Sequence, residues 1–476
     1  MRESELNLQA NTRRVFLKSM GAGAASLAVP KLAAAATASA EKPNIIVILA
    51  DDMGYNGTSV YDGWIKTPHL ERLVAEGMKF TDFHSSGIVC SPTRAGLMTG
   101  RYQERAGIPG VIYADPTRAV HYTGLQTTEV TFPKLLKEAG YISAIMGKWH
   151  LGYFKHYNPL HHGFDQFHGY VGGNVDYISH YDNQGRHDWW DGLERVEEEG
   201  YTTHLITKHS VKFIEDNRDR PFCLYVAHEA VHSPFQGPGS QIVRGPDKGM
   251  RKGAEKLSTE EAYVQMMNEM DKGIGEILDT VKRLGISENT VVLFFSDNGH
   301  AYLGPRSYKC PLRGQKATVW EGGHRIPAIA WWPGKIRPGT VNDDLFISLD
   351  LMPTMLELAG ASAPKGHTFD GISMVDALLR ENKTEPRQLF WNGRAMRDGN
   401  WKFVAGSEGG LFNLDDDLGE QNDLADNYPE RAGKMAAATE EWKIDVATGA
   451  TVQPGPPPRV TIKPERKETT PPRARR

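Results

Sequence analysis

Pro43-Asn44-Ile45-Ile46-Val47-Ile48-Leu49-Ala50-Asp51-Asp52 is an unbroken apolar, β-branched run that stops on two carboxylates. Alternation would mean a sheet with one face in water. A continuous run means a strand covered on both faces, as in a parallel sheet between helical layers. Tyr141 to Met146, Phe222 to Ala227 and Thr290 to Phe295 have the same texture. Between these strands lie helices with legible ends. Thr67 as N-cap and Pro68 at the first helical position open one that stops at Gly77, and another runs from Thr131 to Gly140. The longest starts with Ser258 and Glu261 as a capping box. It puts Tyr263, Met266, Met267, Met270, Ile274, Ile277, Leu278 and Val281 on one face, a Met-rich stripe that reads as core. The expected fold class is α/β: a large mixed, mostly parallel sheet sandwiched by helices.

Near residue 370 the texture changes to short strand-like pieces around turns. Arg397-Asp398-Gly399-Asn400-Trp401-Lys402-Phe403 reads as a hairpin with an Asp-Gly turn, and Leu411 to Leu414 as a further strand. The expected organisation is a leader over 1–40, a large domain over 41–370, a small antiparallel α+β subdomain over 371–451, and a disordered Pro/Arg-rich tail over 452–476. In the leader, Thr12-Arg13-Arg14-Val15-Phe16-Leu17-Lys18 is a twin-arginine pattern. A Gly/Ala-rich run from Met20 to Ala36 and the small-residue site Ala38-Ser39-Ala40 follow it. Pro30 and Lys31 interrupt that run, so it reads as a cleaved signal and not a membrane helix. A bacterial twin-arginine export machinery is the implied partner, and a periplasmic or secreted location the implied destination.

The 476 residues carry a formal net charge of −4 with 24% charged residues, an ordinary soluble-enzyme balance without the basic footprint of nucleic-acid binding. Only three cysteines occur, Cys90, Cys223 and Cys310, at spacings that build neither a disulfide framework nor a zinc knuckle.

Each of the four apolar runs ends in polar groups a core does not tolerate unpaired. These are Asp51-Asp52, then Gly147-Lys148-Trp149-His150, then His228 and His232, then Asp297-Asn298. Open α/β sheets bind ligands beyond the carboxyl ends of their strands. A single strand-end Asp is often only a helix cap, but four polar ends together point to a site. Asp51, Asp52, Asp297 and Asn298 are all oxygen donors. Three carboxylates brought close need a cation, and hard oxygen donors favour calcium or magnesium over zinc, with the looser calcium geometry better suited to an all-protein cage. Cys90-Ser91-Pro92-Thr93-Arg94-Ala95-Gly96-Leu97-Met98-Thr99-Gly100-Arg101 places Cys90 at the start of a short helix, where free amides favour an anion, with Arg94 one turn on. Such a cysteine is either a reactive thiol or a buried one, and spacing does not choose between them.

This segment resembles the signature of the type I sulfatases, in which the cysteine of Cys-x-Pro-x-Arg is oxidised to formylglycine by a maturation enzyme. Gly140 to His150 is similar to that family's second signature. The likeness extends through Asp51-Asp52, Ala230-Val231-His232-Ser233-Pro234, Ser296 to Gly299 and Gly314 to Gly323. Two departures are His300, where the family varies, and Gln315, often glycine in relatives. The resemblance implies an alkaline-phosphatase-like fold, one calcium held by Asp51, Asp52, Asp297, Asn298 and the modified Cys90, and hydrolysis of sulfate monoesters. It also implies catalytic roles for Cys90, Arg94, Lys148, His150, His232 and Lys316. It is nearest in character to galactose- and N-acetylgalactosamine-sulfate sulfatases and to polysaccharide-degrading relatives, Ala330-Trp331-Trp332-Pro333-Gly334 contributing to that likeness. A loop-like insertion between Phe164 and Gly192 offers His168, Asp176, His180, His187, Asp188 and Trp189 as candidate sugar contacts, with Asp182 and Trp190 beside them; an ordinary surface loop would read the same. Competing readings are a phosphonate or phosphodiester hydrolase sharing the cysteine signature, and a non-catalytic glycan-binding relative.

Overall fold

The computed structural model describes residues 42–55, 57–247, 257–302, 304–305, 310–458, 460 and 462. The twin-arginine leader lies outside the described residues, as does all of the chain beyond 462.

The four apolar runs form strands β1 (Asn44–Ala50), β2 (Ile142–Lys148), β3 (Phe222–Ala227) and β4 (Thr290–Ser296). They lie at the middle of a ten-stranded sheet in the order β4-β1-β3-β2, all parallel. Gln166–Tyr170 continues the parallel set beyond β2, and two antiparallel two-residue strands, Trp190–Asp191 and Glu194–Arg195, finish that edge. Ala328–Trp331 runs antiparallel beside β4, followed by Met78–Phe80 and Thr340–Asn342. Both faces of β1 are covered: Ile45, Val47 and Leu49 enter one core, Ile46 and Ile48 the other. Helix α1 (Cys90–Thr99) packs on the first face with Phe132–Glu138 and Leu351–Ala359. Helix α2 (Thr259–Arg283) packs on the second with Pro68–Glu76 and Thr202–Asn217. The Met-rich stripe of α2 is wholly buried, and both bonds of its Ser258–Glu261 capping box form.

Register aligns the strand ends. Ala50 pairs with Ser296, Leu49 with Ala227, and Gly147 with Ala227. Asp51, Lys148, His228 and Asp297 therefore leave the sheet at one level. Gly147 is required there: at φ 111°, an added Cβ would lie 2.0 Å from the Ala227 carbonyl oxygen.

Downstream, Gln388–Trp391, Ala395–Asp398, Trp401–Val404 and Gly410–Asn413 make a four-stranded antiparallel sheet with Pro429–Ala447 against it. Its core also takes in Tyr102, Ile347 and Leu349 from the larger part of the chain. Two readings change. Asp398 pairs with Trp401, so the hairpin loop is Gly399-Asn400 with Gly399 at φ 56°, one residue past the expected Asp-Gly. The first residues of the expected disordered tail are tied down: Gln453 Oε1 accepts from the Gly124 amide and from Gln126 Nε2.

Candidate active site

Asp51 and Asp297 emerge from adjacent strands, and Asp52 follows in a left-handed conformation, φ 60°. The Asp52 amide donates to Asp297 Oδ1 at 3.2 Å, which gathers the three buried carboxylates. Asn298 Nδ2 donates to Asp52 Oδ1 at 2.8 Å. Its own Oδ1 is buried with no hydrogen-bond partner among the described residues.

Cations converge on this knot. Lys148, the last residue of β2, pairs with Asp51 Oδ2. Arg94 reaches Asp297 Oδ2 at 3.1 Å and Asp51 Oδ2 at 3.6 Å, and donates to the Lys148 carbonyl at 2.9 Å. Lys316 Nζ lies 2.6 Å from Asp52 Oδ1 and 3.4 Å from Cys90 Sγ. The loop carrying Lys316 is clamped at both ends, its amide to His300 O and the Ala317 amide to Ile88 O.

Cys90 opens α1 with no side chain capping the helix, and its Sγ is 3.7 Å from Asp51 Oδ1. Burial would raise the thiol, but Lys148 and Lys316 overcome it and bring it down to about 6. Burial and the neighbouring Asp51 push Asp297 up to about 6 despite Arg94. Burial likewise raises Asp51 against the pull of Lys148. Asp52 behaves oppositely: burial opposes its charge, yet Lys316 and His232 hold it well below the carboxylate range.

Two histidines flank the sulfur with different tautomeric constraints. His150 Nε2 donates to Ile112 O at 2.9 Å, leaving Nδ1 a buried lone pair; burial and Lys148 push it well below its ordinary value. His232 Nδ1 donates to Ser233 O at 2.7 Å, and Nε2 lies 3.5 Å from Asp52 Oδ2. Burial works against its charge, but Asp52 raises it. Asp52, His150 and Ala317 all have positive φ (60°, 57° and 68°), backbone strain of about 1–3 kcal/mol each collected around one sulfur. His228 is wholly buried, and burial takes it down to about 4. It lies off the cavity wall.

A cavity of about 450 Å³ opens on Cys90, His150, His232 and Lys316, walled further by Ile112, Tyr113, Tyr153, Asn174, Asn183 and Gln315. None of the six loop residues expected to contact a sugar lines it. Asp176 accepts from the Ile178, Ser179, Val243 and Arg244 amides, and Asp188 from Val171, Gly172 and the Trp190 indole. Trp189 is wholly buried against His180, whose Nε2 meets Gly200 O. His168 stacks on His209, and His187 faces Glu197. These side chains hold the loop's own backbone and packing, which a count of polar and aromatic residues cannot distinguish from a binding surface. Asn174 was missed because its strand, Gln166–Tyr170, is short and mixed; the strand-end rule applied there reaches it.

The donor set fits a hard divalent cation. Besides Cys90, the candidate ligands Asp51, Asp52, Asp297 and Asn298 all offer side-chain oxygen, Asn298 Oδ1 has no partner among the described residues, and Asp51 and Asp297 stay raised even beside Lys148 and Arg94. With three carboxylates balanced by Arg94, Lys148 and Lys316, a divalent ion would leave the pocket net positive and attractive to an anion.

Fold and site together define a hydrolase of anionic esters, working at the carboxyl edge of an α/β sheet. The chain belongs to the sulfatase family, whose model matches residues 43–361. It is 35% identical over 383 residues to the dog (Canis lupus familiaris) N-acetylgalactosamine-6-sulfatase, covering 75% of this chain and 70% of that one. It is 31% identical over 470 residues to rat (Rattus norvegicus) arylsulfatase G, covering 82% and 84%. Among solved structures, Ps i-CgsB in complex with k-i-k-neocarrahexaose superposes with a TM-score of 0.75 at 28% identity, covering 86% of this chain and 94% of that one. The enzyme hydrolyses sulfate esters, and no helix among its described residues is long and apolar enough to cross a membrane.

Proposed function

We propose that this sulfatase desulfates a carbohydrate of the galactose or N-acetylgalactosamine type, within a polysaccharide-degrading role. In this reading Cys90 is converted to formylglycine, and a calcium ion is held by Asp51, Asp52, Asp297, Asn298 and the converted residue. The observation that carries it is Cys90 itself: it opens a helix at the cavity floor, among three carboxylates and three cations. The similarity to N-acetylgalactosamine-6-sulfatase and to a protein that binds k-i-k-neocarrahexaose supports the sugar class. The leader Thr12 to Lys18 supports twin-arginine export to the periplasm or beyond. Conversion of Cys90 requires a maturation enzyme as partner.

When bound, the cation supplies positive charge to the ester oxygens. A formylglycine at position 90, once hydrated by one water, would supply two hydroxyls on one carbon, one to attack sulfur and one whose deprotonation would break the C–O bond to sulfate and restore the aldehyde. Arg94, Lys148 and Lys316 bind the sulfate oxygens and neutralise the charge that shifts onto them in the transition state. Asp297, held beside the cavity floor by the Asp52 amide at Oδ1, takes the proton of the attacking hydroxyl. His232 Nε2 donates a proton to the departing sugar oxygen, its other nitrogen being fixed on Ser233 O. His150 accepts the last proton at the lone pair of Nδ1, its ring held by Ile112.

The test is free sulfate release by the matured protein from a panel of sulfated oligosaccharides and an aryl sulfate, with matched phosphate and phosphonate esters alongside. Preferential release from a galactose- or galactosamine-type sulfate supports the assignment. Faster turnover of the phosphorus esters would move the enzyme to that chemistry, and binding without any turnover would make it a glycan-binding relative.

A further inference from the structure

Asn174 stands on the cavity wall beyond the fifth parallel strand, after Val171, Gly172 and Gly173, and its surroundings are built to aim it. The backbone around it is held on four amides. Val171 and Gly172 donate to Asp188, Gly173 to Tyr153 Oη at 3.2 Å, and Val175 to Glu229 Oε1 at 2.8 Å. Gly173 lies so close to His150 that an added Cβ would be 2.7 Å from Nε2. The segment cannot shift without disturbing the histidine.

The Asn174 side chain is oriented as well. Arg244 Nη1 donates to Asn174 Oδ1 at 2.8 Å. Arginine has no acceptor, so this contact fixes which end of the amide is oxygen and turns the NH2 the other way. Nδ2 then lies 3.3 Å from His232 Nδ1. That nitrogen already donates to Ser233 O at 2.7 Å, so it offers the amide little as an acceptor. Arg244 is only 5% exposed and is itself placed by Asp176, which accepts its backbone amide at 2.9 Å. The result is a neutral, donor-bearing amide locked in the wall beside the candidate general acid, with its N–H groups wanting an oxygen.

We propose that Asn174, aimed by Arg244, is the specificity-determining residue that donates a hydrogen bond to a hydroxyl or ring oxygen of the sugar next to the sulfate ester. The assignment rests on the carbohydrate-sulfatase reading and deepens it. Asp176 and Asp188 then serve substrate recognition through the backbone they hold, as positioning residues that never touch the sugar.

The test compares kcat/KM on a sulfated galactosamine saccharide with that on an aryl sulfate, which has no sugar oxygen to read. In the matured full chain, Asn174→Ala should lower the sugar-to-aryl ratio about tenfold, the usual loss for one neutral hydrogen bond to substrate. Arg244→Met should lower the same ratio, and Arg244→Lys, which still donates to Oδ1, should restore part of it. An Asn174→Ala ratio equal to the parent's overturns the assignment, whether both activities survive or both fall together. If Asn174→Ala does not fold, the Arg244→Met and Arg244→Lys pair decides: no change in ratio between them overturns it. A parent enzyme inactive on both esters would instead defeat the underlying sulfatase chemistry, an outcome separate from these.

Discussion

Among the described residues, two buried clusters that combine histidines with acidic and basic groups differ in access: one opens to a cavity and the other is closed. The closed one joins His84, Glu321 and His324 to the C-terminal sheet through Lys402. His84 Nδ1 meets His324 Nδ1 at 2.9 Å, and His84 Nε2 meets Asp82 at 2.8 Å. Lys402 Nζ lies 2.9 Å from Glu321 and 2.8 Å from Glu420, where a metal would otherwise sit. Both nitrogens of each histidine are engaged, and Lys402 holds Glu321 well below its ordinary range in spite of burial. The open cluster has the same ingredients in a different state. Asp51 and Asp297 are raised, His150 Nδ1 and Asn298 Oδ1 lack partners among the described residues, and a thiol is brought down to about 6. A satisfied network ties two parts of a fold together. An incompletely satisfied one at a cavity marks a place for binding and chemistry.

This contrast can be broken or sharpened by mutation. The largest effect belongs to Cys90→Ala, which should abolish sulfate release while leaving the thermal transition close to the parent's; appreciable turnover contradicts the nucleophile assignment. Exhaustive chelation should come next, removing most turnover and lowering the melting temperature, with calcium restoring both. Full turnover in the chelated protein would show that the oxygen donors need no cation. In the closed cluster, Lys402→Met leaves Glu420 buried without its cation and takes one from Glu321, which keeps Arg325 and Arg397. It should cost about 3–5 kcal/mol in urea unfolding, with the rate per folded molecule near the parent's. A catalytic defect without a stability defect would reverse the two roles. Lys148→Ala should slow turnover about a hundredfold, near 3 kcal/mol of transition-state stabilisation; a near-normal rate would remove Lys148 from the sulfate.

The smallest effect concerns pH. Burial raises Glu229 to about 8 from 4.5, so the folded state holds a proton that the unfolded state has released. That makes stability fall as pH rises between about 4.5 and 8, by at most a few kcal/mol. Glu229→Gln, which keeps the acceptor for Val175, should flatten that fall in denaturant melts at pH 5 and pH 8. Glu321 has the opposite sign: its stabilisation is present above 4.5 and is lost as pH drops through its depressed value.

Much of this was legible in the sequence. The four central strands could be read because burial on both faces leaves continuous apolar runs, and their polar ends marked the site because a core excludes such groups. The one-residue shift of the hairpin turn was not legible, since Asp398 and Gly399 suit either turn position and cross-strand register decides. The strand Gln166–Tyr170 was hidden in an expected loop because His168 and Gly169 interrupt its apolar character. Asp176 and Asp188 look like ligand-binding carboxylates in composition. Only the fold shows that backbone amides already engage them, and that Asn174 beyond them faces the cavity.

The most direct test prepares the protein with graded maturation, measures by mass the fraction of Cys90 peptide converted to formylglycine, and plots sulfate release per molecule against that fraction. Release should rise in proportion and extrapolate to zero for unconverted Cys90. Release that does not depend on the converted fraction would contradict the catalytic role assigned to this residue.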